Sequence, residues 1–238
     1  MRPRALKWLH VTTVGGVNNS VRLVATCLLC ACAASPSSAR DLNEILKGVE
    51  ARYNSARTLE ARFEQRWLAG GRPRRAESGT LKLLKPGKMR WDYTIPAGKL
   101  FLSDGKTLWY ASPATGRVER TAMKNADDFR TPLAFLLGRL SFKKTFQDLE
   151  LRESGSEATI VAIPKASRAP YSKVEFTLSP ANEITRLLIT GLDETIMEFR
   201  FSGEQLNASI DSASFRYTPP AGVEVVEVKG FGETEAER

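Results

Sequence analysis

Residues 79–121 read GTLKLLKPGKMRWDYTIPAGKLFLSDGKTLWYASPATGRVERT and contain the clearest strand and turn patterns of the chain. Within it, residues 88–95 alternate without a break between large apolar and polar side chains, which is the pattern of a half-buried β-strand. Turn-forming residues separate the apolar segments at 86–87, 96–98 and 104–105. The stretch therefore predicts four or five short antiparallel strands joined by tight turns.

The apolar face of this stretch carries large, adaptable side chains beside one cation. Its members are Leu81, Leu83, Met89, Trp91 and Tyr93, with Lys85 at the end of the strand that holds the two leucines. One interpretation is an ordinary core with a lysine at a strand end. The other is a sheet curled around an apolar ligand, and the alternation alone is compatible with both.

Helical and strand patterns flank the stretch. Asp41 and Glu44 form a capping-box pattern ahead of an apolar stripe, which predicts a helix with one buried face. Residues 59–67 alternate again, and after residue 142 strands recur at intervals of roughly ten residues. The candidate strands are 147–152, 158–163, 173–178, 184–190, 195–201, 212–218 and 224–228. Residues 202–206 are predicted as a turn or loop.

A short apolar segment lies between the two groups of strands. Thr131 and Pro132 are residue types that begin helices, the sequence LAFLLG follows, and Gly138 is a stop signal. The segment is apolar on nearly all sides, so one or two turns of helix on a surface could not bury it. It is predicted to plug a cavity or to pack under another loop.

Residues 1–39 have the features of a secretory signal peptide. An apolar run of 12 residues, 23–34, follows a basic residue and precedes small residues, so cleavage is expected after Ala39. Without this segment the basic residues fall from 35 to 31 against 27 acidic ones, and the net charge falls from +8 to about +4. The rival interpretation is lipidation, because residues 29–32 read LCAC and distantly resemble a lipobox.

Residues 40–238 hold few groups suited to catalysis. The three cysteines and the single histidine, Cys27, Cys30, Cys32 and His10, all fall in the predicted signal. This excludes disulfides, cysteine nucleophiles, histidine triads and the usual zinc sites from the mature protein. The remaining carboxylate pairs suit surface charge pairing better than acid catalysis. We therefore expect no enzyme activity, no cofactor or metal, and no nucleic-acid partner.

Three segments resemble the LolA family of periplasmic outer-membrane lipoprotein carrier proteins in content and order. They are SGTLKLLKPGKMRWDY at 78–93, LSDGKTLWYASP at 102–113 and VERT at 118–121, with later support from TPL at 131–133 and FRYTPPAGVEVVEV at 215–228. The resemblance covers about residues 41–228. It implies a mainly β fold with helices (α+β): an incomplete antiparallel β-barrel, or half-barrel, with an α-helical lid over an apolar cavity. Residues 40–238 would form this single domain.

The resemblance also implies roles for individual residues. Lys85 stands before a proline where related carriers commonly have an arginine that holds carbonyl groups of the closed lid. A lysine offers three donors on a flexible stem instead of a rigid fork, so a looser latch is expected here. The expected lining of the cavity is Leu81, Leu83, Met89, Trp91 and Tyr93, with Leu133, Phe135 and Leu136 from the lid.

The function implied by the resemblance is that of a periplasmic chaperone or carrier. Such a protein, expected as a monomer, binds the acyl chains of lipoproteins released by an inner-membrane ABC-type complex and delivers them to an outer-membrane acceptor. Two alternatives stay open: a lipid-anchored outer-membrane acceptor of similar fold, and a module that senses lipid or lipoprotein. Diacylglycerol on Cys32, read from the mass of the mature N-terminus, would favour the acceptor.

Overall fold

The computed structural model describes residues 40–123, 140–167 and 169–228, and strands dominate it. The helical elements are α1 (Leu42–Ser55), α2 (Phe142–Thr145) and a 3₁₀ helix (Ser212–Phe215). The strands are β1 (Thr58–Ala69), β2 (Arg72–Leu84), β3 (Lys88–Ile95), β4 (Leu100–Asp104), β5 (Thr107–Ser112), β6 (Arg117–Ala122), β7 (Phe146–Ser154), β8 (Glu157–Pro164), β9 (Tyr171–Leu178), β10 (Ile184–Gly191), β11 (Ile196–Leu206) and β12 (Val225–Glu227).

The strands form one sheet of twelve, in the order β12-β6-β5-β4-β3-β2-β1-β11-β10-β9-β8-β7. Neighbouring strands pair antiparallel, except that β12 runs parallel to β6. Within the described ranges, β12 and β7 have no strand partner on their outer sides, so the sheet does not close on itself. The predicted mainly β fold, built on an open antiparallel sheet, is confirmed.

The sheet is strongly curled toward one face. Trp91 of β3 and Phe199 of β11 lie three strands apart, which is about 14 Å on a flat sheet, yet their ring centroids are 5.4 Å apart. Similarly, the Lys99 ammonium lies 5.5 Å from the ring centroids of both Trp67 on β1 and Tyr110 on β5. Side chains from separated strands therefore meet on a concave inner face.

Helix α1 packs its apolar stripe into the same core. Asp41 caps its first turn by accepting the backbone N–H of Asn43 at 3.0 Å. The side chain of Asn54 accepts the backbone N–H of Leu140 at 2.7 Å and donates to its carbonyl at 2.9 Å, which ties α1 to the chain that leads into α2. The sequence predicts an apolar stripe of Leu42, Ile45, Leu46, Val49 and Tyr53; the last four are buried, and Leu42 is half-buried.

Two strand and turn assignments made from the sequence were wrong. Residues 212–218 form no strand: Asp211 caps a 3₁₀ helix by accepting the N–H of Ala213 at 2.9 Å, and only Phe215 of that helix is buried. Residues 202–206 are not a turn, because β11 continues through them.

The reversal after β4 falls one residue later than the predicted Asp104-Gly105 pair. The Asp104 carboxylate accepts the backbone N–H groups of Lys106 and Thr107, both at 2.8 Å, and thereby closes the turn around Gly105 and Lys106. The predicted lid helix at 131–138 lies outside the described residues.

Gly79 allows two aromatic rings to meet across β2. It lies between Phe63 on β1 and Tyr93 on β3, whose ring centroids are 5.0 Å apart in an edge-to-face arrangement. A Cβ on Gly79 would overlap the carbonyl oxygen of Asp92 and lie 2.9 Å from the Cα of Tyr93. Because both obstacles are backbone atoms, no side-chain rotation could relieve the overlap.

We expect Gly79→Ala to lower the free energy of unfolding by about 1–3 kcal/mol, the usual cost of forcing an extra carbon into a packed site. Urea denaturation measures the change. Thr80→Ala, at the next position on the outer face, is the control and should change stability by less than about 0.5 kcal/mol. Equal losses in the two variants would contradict the proposed steric role of Gly79.

Candidate functional site

The candidate site is the apolar centre of the concave inner face. Rows of side chains cross it from strand to strand: Leu59, Leu83 and Met89 in one row, and Ala61, Leu81, Trp91 and Phe101 in the next. Five predicted lining residues lie on this face, each no more than 5% exposed: Leu81, Leu83, Met89, Trp91 and Tyr93. The other three, Leu133, Phe135 and Leu136, lie outside the described residues.

Trp91 occupies the middle of this face and is fully buried. Its ring packs against Phe63 at a centroid distance of 4.7 Å and against Phe199 at 5.4 Å. Its indole N–H has no hydrogen-bond partner in the part of the chain that the structure describes. A buried donor without an acceptor costs about 1–3 kcal/mol, so the carbonyl oxygen of a bound molecule could recover that cost here.

A buried hydrogen-bond network closes one end of the apolar face. The Tyr53 hydroxyl donates to Glu204 Oε2 at 2.7 Å and accepts the backbone N–H of Ile184 at 2.8 Å. Arg52 donates to Glu204 Oε1 through Nη2 at 2.6 Å and through Nε at 3.0 Å. Burial and the nearby negative charge of Glu204 raise the pKa of Tyr53 well above its ordinary value. The network fixes the end of α1 to β10 and β11.

An irregular pairing between β1 and β11 gives Glu204 its place in this network. The register shifts between Glu60 and Arg62, so two residues of β11, Gly203 and Glu204, lie opposite Ala61. Gly203 has a φ of 64°, in the left-handed region that glycine tolerates. The Glu204 side chain is only 4% exposed as a result. The periodicity of the sequence gave no sign of this irregularity.

Lys85 contacts the same end of α1. Its ammonium donates to the backbone carbonyl of Tyr53 at 2.6 Å, in the last turn of the helix, where the same carbonyl also accepts the N–H of Ala56 at 3.3 Å. Burial lowers the pKa of Lys85. The predicted contact with lid carbonyls involves residues outside the described ranges, whereas the contact with α1 was not predicted.

Two narrow cavities border Tyr53, at the end of α1. Each has room for about one water molecule. Both are lined by Tyr53 and Leu59; the first adds Ala61, Leu81, Ile184, Phe201 and Glu204, and the second adds Ala56, Arg57, Thr58, Leu83 and Lys85. A long apolar guest could enter through either cavity only if side chains or the end of α1 moved.

A second polar cluster borders the opposite end of the inner face. The Lys99 ammonium donates to both carboxylate oxygens of Glu77, at 2.9 and 3.0 Å, and lies 4.8 Å from the Tyr93 ring centroid. The Tyr93 hydroxyl donates to Gln65 Oε1 at 3.0 Å. This cluster was not predicted, although Glu77 has the same strand parity as Gly79 and Leu81, which places it on the inner face.

The site therefore has an apolar centre and two polar ends, which suits a flexible apolar chain better than a reacting substrate. Among residues 40–123, 140–167 and 169–228, no three His, Cys, Asp or Glu side chains are grouped to hold a metal ion. None of the helices in those ranges has the length and apolar character needed to span a bilayer.

Comparison with known proteins relates this arrangement to one family. The family model described as outer membrane lipoprotein carrier protein LolA matches residues 54–218. An outer-membrane lipoprotein carrier protein of Dechloromonas aromatica is 31% identical over 207 residues, which cover 86% of this chain and 95% of the relative. One of Chromobacterium violaceum is 30% identical over 193 residues, 81% of this chain and 90% of the relative. A solved LolA superfamily protein of Nitrosomonas europaea is 12% identical, with a TM-score of 0.45 and coverage of 75% and 99%.

We expect Tyr53→Phe to lower the free energy of unfolding by about 1–3 kcal/mol, because the N–H of Ile184 would lose its acceptor inside the protein. Chemical denaturation measures the loss, and amide exchange at Ile184 should accelerate. Tyr217→Phe is the control, since the Tyr217 hydroxyl makes no hydrogen bond to any described residue and its ring packs on Trp109. Unchanged exchange at Ile184 would refute the assigned bond.

Proposed function

Because the chain belongs to the LolA family of outer-membrane lipoprotein carrier proteins, we propose that it carries acylated lipoproteins through the periplasm. It would receive them on release from the inner membrane and deliver them to the outer membrane. The observation that carries this proposal is the concave apolar face, on which side chains from β3 and β11 meet although three strand spacings separate them.

The need for such a surface follows from the cost of exposing acyl chains. Each buried methylene is worth about 0.8 kcal/mol, so an acyl chain of about 16 carbons left in water costs roughly 12 kcal/mol. A lipoprotein bearing such chains cannot cross an aqueous compartment unaided. A curled sheet that covers the chains on one face removes most of this cost.

The composition of the face supports release as well as binding. Leu81, Leu83 and Met89 offer flexible, non-directional contacts that accommodate chains of different shape. The unpartnered indole N–H of Trp91 is the exception, and it could bind the carbonyl of an ester or amide that joins an acyl chain to the lipoprotein. Such a lining can bind many different cargoes, and it lacks the tight shape complementarity that would slow their release.

Opening of the site is the step that admits the cargo. In the described residues the interior is filled by its own side chains, with Trp91 packed between Phe63 and Phe199. We assign the displaced plug to Leu133, Phe135 and Leu136, and the latch to Lys85. Lys85 also holds the last turn of α1 through its bond to the Tyr53 carbonyl. Breaking that bond would let the helix end move, and the two cavities lined by Tyr53 could then widen.

The partners in this proposal come from the family. They are acylated lipoproteins as cargo, an inner-membrane ABC-type releasing complex as donor, and an outer-membrane protein as acceptor. The carrier would act as a monomer, without catalysis and without a cofactor. Its export would depend on residues 1–39 acting as a cleaved signal.

A release assay tests the proposed function. Purified protein comprising residues 40–238, added to spheroplasts, should transfer lipoproteins into the soluble fraction and co-purify with them, as read by mass spectrometry. The same protein preloaded with a long-chain fatty acid is the control and should release less, because its apolar face is occupied. Folded protein that releases no lipoprotein would overturn the proposal.

We expect Lys85→Leu to bind a fluorescent acyl probe more readily, by up to about tenfold, because the closed form loses a hydrogen bond to a charged group. Lys85→Arg keeps a donor, now on a rigid fork, and should bind no better than the native protein and release more slowly. Fluorescence titration and stopped-flow displacement give the two quantities. Unchanged binding and release in both variants would remove Lys85 from the mechanism.

A further inference from the structure

Three neighbouring turns lie at one end of the sheet, opposite the end that holds Tyr53 and Lys85. They are the β10–β11 turn, the β1–β2 turn and the β3–β4 turn. The strands beside them are consecutive in the sheet, in the order β10-β11-β1-β2-β3 with β4 beyond. Their exposed side chains therefore form one continuous surface, whose properties the proposed carrier function does not explain.

The centre of this surface is strongly basic. Residues 66–75, which we term the arginine hairpin, read RWLAGGRPRR and hold four arginines with no acidic residue. Arg66 pairs with Glu64 at 3.2 Å and Arg75 pairs with Glu77 at 2.5 Å. Arg72 and Arg74 are exposed and form no ion pair with any described residue. The two positive charges of Arg72 and Arg74 thus stand uncompensated at the hairpin, and Arg75 shares the single charge of Glu77 with Lys99.

The arginine hairpin also projects past its neighbour on one side. Pairing between β2 and β3 stops at Ser78 and Ile95, whereas β2 begins at Arg72. The six residues before Ser78 span about 20 Å at the usual strand rise. The uncompensated charges therefore stand beyond the end of β3, where a flat partner could reach them.

Apolar side chains are exposed on the elements that flank the arginine hairpin. Ile95, at the end of β3, is 60% exposed, and Leu192, in the β10–β11 turn, is 72% exposed. The ring of Trp67 is half-buried under the Arg75 guanidinium, at 5.4 Å. Asp193 and Glu194 follow Leu192 in its turn, so the positive surface is centred on the arginine hairpin and its β3 side.

We propose that the arginine hairpin and Ile95 bind the surface of an anionic phospholipid bilayer. One guanidinium group can donate two parallel hydrogen bonds to the oxygens of one phosphate. Each basic residue near an anionic membrane also adds to the electrostatic attraction between protein and membrane. A neighbouring isoleucine and a tryptophan beside an arginine fit the boundary between headgroups and acyl chains. An acidic protein surface would satisfy the arginines but would leave the exposure of Ile95 unexplained.

Vesicle sedimentation tests this binding with no cargo present, so its outcome is independent of the release assay. The native protein should pellet with vesicles of phosphatidylglycerol and phosphatidylcholine and stay soluble with phosphatidylcholine alone. Added salt should weaken the binding, because it screens exposed charges. Arg72→Gln/Arg74→Gln should weaken partitioning by about tenfold or more. Arg72→Lys/Arg74→Lys, which keeps the charges and loses the paired hydrogen bonds, should weaken it less.

A matched control variant distinguishes binding through the arginine hairpin from attraction by the net charge of the protein. Lys47→Gln/Lys106→Gln removes the same charge from an exposed position on α1 and from the β4–β5 turn at the opposite end of the sheet. It should leave partitioning within about twofold of native, since neither lysine adjoins the arginine hairpin. Ile95→Ser should weaken partitioning several-fold without changing its dependence on salt, because it removes an apolar contact and no charge.

Three results would overturn the proposal. The first is a native protein that ignores anionic vesicles at low salt. The second is an equal loss in the two charge-reduced variants, which would mean attraction by net charge alone. The third is binding to soluble polyglutamate without binding to vesicles, which would assign the arginine hairpin to an acidic protein partner instead.

Discussion

Packing between side chains of non-adjacent strands holds this protein in its shape. Trp91 contacts Phe63 on β1 and Phe199 on β11, and these contacts exist only because the sheet is curled. The same curl makes an inner face that is apolar at its centre, where side chains interlock. Glycine at position 79 is part of the arrangement, since it leaves space for the rings on either side of β2.

The two ends of the inner face differ in what they connect. At one end, Tyr53 and Glu204 join the last turn of α1 to β10 and β11, and Lys85 adds a bond from β2. At the other end, Lys99 and Glu77 are buried among aromatic rings that belong to the sheet itself. In the proposed carrier, opening of the apolar centre would start at the first end, where one helix turn meets the sheet through a few side-chain hydrogen bonds and the packing of Tyr53.

Side-chain positions that follow from the strict alternation of apolar and polar residues were predicted correctly from the sequence. Features that depend on a break in that alternation were missed. The inner placement of Leu81, Met89 and Trp91 follows from parity alone and was correct. Glu204 was missed because an irregular pairing reverses the parity of β11, and the 3₁₀ helix at 212–215 was missed because a local cap competes with a strand. The bond from Lys85 to α1 joins segments 32 positions apart, which no periodic pattern records. The lid residues inferred from the family resemblance lie outside the described ranges.

The two edge strands of the open sheet are built in ways that oppose pairing with a second molecule. The outer edge of β6 is covered by β12, a three-residue strand held parallel by backbone hydrogen bonds from Val118 N–H to the Glu224 carbonyl and from Val228 N–H to the Arg120 carbonyl, both at 2.9 Å. At the other edge, β7 has a register irregularity between Gln147 and Glu150, and its Glu150 and Arg152 side chains are more than half exposed. Short, irregular and charged edges discourage sheet-to-sheet polymerisation. In the described ranges, both edges of the twelve-stranded sheet thus carry features that oppose the addition of a strand from a second molecule.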